Sequence, residues 1–85
     1  MADQITYYAV VDDYSTRAAP AGVLRRVKHD DDQRDEAFGR DLQWGHTSML
    51  YSYERGNRDN QLYPITEDEA MRIVERIRRE SGSSS

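Results

Sequence analysis

The chain has 85 residues, 16 of them acidic and 12 basic, giving a formal net charge of −4 and a sequence pI near 5.0. That balance argues against a protein that grips nucleic acid over its whole surface, because such binding needs many phosphate-neutralising cations. The absence of cysteine rules out disulfides and thiolate zinc sites, and no apolar run approaches the roughly 20 residues that span a bilayer.

This length suits one domain over residues 1–80, with a Ser/Gly tail at 81–85 expected to be flexible. Hydrophobic residues make up 36% of the chain. A core drawn from so few is thin, and self-association is a common remedy. With no basic stretch leading into an apolar run there is no sign of a signal peptide, and a soluble, cytoplasmic protein is expected.

In chain order, Ile5 to Val11 (ITYYAVV) is rich in β-branched and tyrosine residues and predicts a strand apolar on both faces. Asp12 to Gly22 carries turn chemistry. Val23 to Lys28 (VLRRVK) alternates as a half-exposed strand and is expected to pair with the first. The acidic run His29 to Glu36 (HDDDQRDE) reads as a solvated turn. Ala37 to Trp44 reads as a third strand bent at Gly39, with Phe38, Leu42 and Trp44 on one face; a short helix pairing Phe38 with Leu42 is the alternative.

Thr47 to Gly56 fits either a strand or a helix. The punctuation favours a helix, with Thr47 as N-cap and Arg55-Gly56 as the stop. Asn57 to Asn60 is a polar loop, and Gln61 to Ile65 a short extended segment that Pro64 places at an edge or an end. Thr66 to about Glu80 is the clearest element. Thr66 and Glu69 form a capping box, Ile65 and Ala70 a hydrophobic staple, and Ala70, Ile73, Val74 and Ile77 an apolar stripe. Acids crowd its start and arginines its end, as the helix dipole favours, and Glu75 and Arg79 stand at i,i+4 spacing. The expected fold is α+β: a small antiparallel sheet of about three strands, with the C-terminal amphipathic helix packed on one face.

No motif marks a catalytic centre. The acidic run lacks the alternation and glycine of a calcium loop, and neither His29 nor His46 stands in a pattern that supplies a nucleophile. No serine sits in a G-x-S-x-G turn, and no glycine-rich loop offers to cradle phosphate. The expectation is a protein without catalytic residues, cofactor or metal. The unusual feature is aromatic: six tyrosines with Trp44 and Met49 exceed what a small core hides easily, and these residue types are enriched at interfaces. Tyr8, Trp44, Tyr51 and Tyr53 are the candidate interface residues. The expected partner is a second copy of the chain or another protein, and an edge strand of so short a sheet also invites pairing with a partner chain. The alternative is an accessory nucleic-acid binder that uses Arg72, Arg76 and Arg79, a row on the polar side of the last helix interleaved with glutamates.

The segments YYAVV, GVLRR, DEAFGRDLQW, ERG and ITEDEA together resemble a group of short actinobacterial proteins with no assigned activity. The resemblance runs over nearly the whole chain. It implies a bacterial setting and carries over no mechanism and no site residue.

Overall fold

A computed structural model describes residues 4–39, 41–56 and 60–82. Its elements run β1 (Gln4–Val11), β2 (Gly22–His29), β3 (Asp32–Phe38), β4 (Trp44–His46), α1 (Met49–Glu54), β5 (Gln61–Ile65) and α2 (Glu67–Gly82). The five strands form one sheet in the order β4-β3-β2-β1-β5, and every neighbouring pair is antiparallel. The fold is therefore α+β with the C-terminal helix on one face, but the sheet has five strands rather than about three.

Two features of the middle of the chain account for the larger sheet. In the acidic run only Asp30 and Asp31 turn, with Asp30 in the left-handed region at φ +52° that Asp tolerates better than most residues. The rest pairs: His29 lies opposite Asp32, and β3 runs on through Asp35 and Glu36. The predicted third strand then divides. The chain turns after Gly39, with the Leu42 N–H donating to the Gly39 carbonyl at 2.9 Å and Leu42 at φ +60°. Phe38 and Trp44 consequently meet across two strands, ring centroids 5.5 Å apart, and Leu42 stays at the surface.

Pleat alternation sorts the side chains onto two faces. On one, Tyr7, Val23 and Phe38 pack under Ala70, Val74 and Ile77 of α2, with Trp44, Ile65 and Ile73 at the margin. On the other, Val10, Leu24 and Leu62 pack under Leu50 of α1, with Tyr8, Ala37, Met49 and Tyr53 around them. Gly22 is needed where β2 begins, because a Cβ there would lie 2.7 Å from the Phe38 carbonyl oxygen.

Both helices start and stop for local reasons. The 47–56 segment contains the helix α1, and Thr47 lies one residue before the N-cap, Ser48. The Thr47 hydroxyl accepts from the Met49 N–H at 3.1 Å, and Gly56 at φ +105° ends the turn. In α2 the capping box forms as the sequence predicts, the Glu69 N–H donating to the Thr66 hydroxyl and the Thr66 N–H to the Glu69 carboxylate, each at 3.2 Å. The i,i+4 ion pair seen on α2 is Arg76 with Glu80, at 3.8 Å. The helix continues through Gly82, two residues into the predicted tail; residues 83–85 and the loop residues 57–59 lie outside the described residues.

Candidate interaction surface

The sheet outruns its helices. β5 pairs with β1 only from Tyr7 to Val11, and β4 pairs with β3 only from Glu36 to Phe38. The other ends, Gln4–Thr6, Arg26–His29 and Asp32–Asp35, form a three-stranded ribbon that projects beyond the cores beneath α1 and α2. On its α2 side Ile5 lies opposite Val27 and Val27 opposite Arg34. Ile5 is 45% exposed, Val27 is half-buried, and neither packs into a core cluster.

A polar stripe separates this aliphatic pair from the α2 core. Arg25 lies between Tyr7 on β1 and Glu36 on β3, and its Nε donates to the Glu36 carboxylate at 2.7 Å. The same guanidinium sits 4.0 Å from the centroid of the Trp44 ring, and Arg78 of α2 lies 5.4 Å from that of Phe38. A planar guanidinium can stack on a ring while its edge donates to a carboxylate, so one arginine holds both partners. The Tyr7 hydroxyl approaches Glu67 at the start of α2, at 3.5 Å. Burial first, and then the Glu67 charge, raise the Tyr7 pKa above its ordinary value and keep the phenol neutral.

On the other side of the ribbon, Arg26 clamps the sheet to α1. Its guanidinium meets both Asp35 oxygens, at 2.8 and 3.0 Å, and both Glu54 oxygens, each at 3.0 Å. These hydrogen bonds raise the Arg26 pKa and lower that of Glu54. Asp35 is the one buried charged residue among those described, and a buried carboxylate is tolerated where a donor fork satisfies it.

The four predicted interface residues do not converge. Trp44 is on the α2 face beside Arg25. Tyr8 and Tyr53 flank the core under α1, and Tyr51 is exposed on α1 itself, its hydroxyl accepting from Arg55 at 2.9 Å. A shallow cleft of about 280 Å³ opens beside α1, lined by Thr47, Ser48, Met49, Ser52, Tyr53, Asn60 and Leu62.

In the arginine row, Arg76 is turned to a structural task. It donates to the Pro20 carbonyl, tying α2 to the β1–β2 connection. Arg72 and Arg79 remain exposed, with Glu75 between them along the helix. Among the described residues no three His, Cys, Asp or Glu side chains converge as a metal site, and no helix is long and apolar enough to cross a membrane.

Sequence reading places Arg25 and Val27 on a half-exposed strand but does not bring them together with Ile5. The usable signal was register. With the turn at Asp30-Asp31, Arg25 falls opposite Glu36 and Arg26 opposite Asp35, so the charges of the two strands mirror each other about the turn. Comparison with protein-family models, curated proteins and solved structures gives no match.

Proposed function

We propose that the chain is a small non-catalytic interaction module whose working surface is the α2 side of the projecting ribbon. The observation that supports this is the pairing of half-exposed Ile5 with half-buried Val27 outside both core clusters, beside the Arg25–Trp44 stack. An aliphatic pair gains little by staying in water, and an aromatic ring under an arginine is the residue chemistry that interface centres favour. The partner is a second copy or another protein, and the working location is the cytoplasm.

Size-exclusion chromatography with light scattering, over a range of concentrations, separates the two partners. A mass of two chains identifies a second copy; a mass of one chain directs the search to another protein that co-purifies with this one. In either case Val27→Lys, at a position outside both core clusters, must leave the fold intact and abolish the association. Arg72→Glu, on the far side of α2, must not. Association that survives Val27→Lys unchanged overturns the reading.

A further inference from the structure

The lane that β5 vacates beside β1 is the most specific feature of this surface. β5 ends at Ile65, opposite Tyr7, and the chain turns away into α2. The outer edge of β1 from Gln4 to Thr6 is therefore unpaired among the described residues, and every second residue of a strand turns its N–H and C=O to such an edge. Beside it opens a notch of about 470 Å³ lined by Ile5, Thr6, Tyr7, Ile65, Thr66 and Glu67. Among the described residues one end of the lane is open. The other is closed by Ile65 and carries the Glu67 carboxylate.

We propose that this notch receives an extended segment of a partner protein, added antiparallel to β1, with an aliphatic residue over Ile5 and a positive charge against Glu67. The proposal rests on the interaction-module reading and names the occupant. The unpaired edge supplies main-chain hydrogen bonds to any strand, whatever its sequence. Half-exposed Ile5 and partly buried Ile65 supply the apolar contact. Glu67, followed by Asp68 and Glu69, makes the closed end acidic, so a free α-amino group on the residue that precedes the one opposite Ile5 is the complementary terminus.

Tyr7 is already paired with Ile65, so a strand that ran past Thr6 along β1 would meet β5. A strand that ends or turns at Thr6 meets no such obstacle.

The test is a ¹⁵N-HSQC titration of the full chain with the synthetic tripeptide amide Thr-Ile-Thr, bearing a free amine, and with its N-acetylated form as the control. The expected result is a set of shift changes confined to Gln4–Thr6 and Ile65–Glu67. Affinity should fall about three- to fivefold for the uncharged control and by a similar factor for Glu67→Gln, the scale of an exposed ion pair. Ile5→Lys should remove binding while leaving the rest of the spectrum unchanged. Shifts that map elsewhere, no shifts at millimolar peptide, or equal affinity for the two peptides would each overturn the proposal. So would a light-scattering dimer that Ile5→Lys dissociates, because it would put a second copy in the lane. That last outcome, or peptide failure alongside an association still abolished by Val27→Lys, leaves the broader reading standing.

Discussion

Replacing Arg26 with Met should be among the most costly changes to this fold, although the residue is polar and part of its fork faces solvent. Arg26 and Asp35 have side-chain exposures of 13% and 11%. Removing the guanidinium leaves the Asp35 carboxylate without its fork in a site that excludes most water, and breaking a buried pair from one side costs about 3–5 kcal/mol. The partial exposure of this pair lowers the expectation to about 2–3 kcal/mol. Against a total stability of about 4–13 kcal/mol for a chain of this length, that is a large fraction. The double substitution Arg26→Met with Asp35→Leu removes both charges together and should recover most of the loss, because the desolvation of two ions disappears with their attraction. Glu54→Gln should shift the midpoint far less than Arg26→Met, since exposed ion pairs contribute little. Urea denaturation of the four proteins, followed by far-ultraviolet circular dichroism, gives the midpoints and slopes. A single Arg26→Met variant within 0.5 kcal/mol of wild type, or a double variant no better than the single, would refute the reasoning.

The remaining predictions are local. Gly22→Ala forces a Cβ to within 2.7 Å of the Phe38 carbonyl oxygen, so the β2–β3 pairing must shift; a loss of about 1–3 kcal/mol is expected in the same urea assay. The Glu54 carboxyl is held below its ordinary pKa by Arg26, so its contribution is present above the unfolded carboxylate pKa and disappears as pH falls through the folded value. Melting temperature should therefore decline less steeply below about pH 5 in Glu54→Gln than in wild type. Tyr7 has the opposite sign. Its pKa is raised, so the unfolded chain ionises first, and the stability present below about pH 10 is lost as pH rises through the folded value. Tyr7→Phe should flatten the alkaline limb of the same pH profile.

How much of this was legible follows burial. The end of the chain was readable residue by residue because α2 obeys local rules: a capping box at Thr66 and Glu69 and a stripe through Ala70, Val74 and Ile77, both present in the structure. The first two strands were readable because Ala9, Val10, Val23 and Leu24 are buried and their sequence shows it. The third and fourth were not. β3 reads Asp-Gln-Arg-Asp-Glu-Ala-Phe because most of it lies in the ribbon, where no core enforces apolar alternation. β4 has three residues, one of them glycine, too short for any periodicity.

The candidate surface shows the same division. Tyrosine and tryptophan were conspicuous in the sequence, yet the sheet sends Trp44 to one face and Tyr8 to the other, a separation set by pleat and register. Ile5 and Val27 are aliphatic residues of the first two strands, and only the register of the sheet shows that they lie outside both core clusters.

The most direct test of the central claim, that the ribbon is the working surface, is site-specific photo-cross-linking in living cells from a benzoylphenylalanine at position 27, with position 75 on the outer side of α2 as the control. The account expects a discrete adduct of defined mass from position 27 and none from position 75. No adduct from position 27, or the same adducts from both, would contradict it.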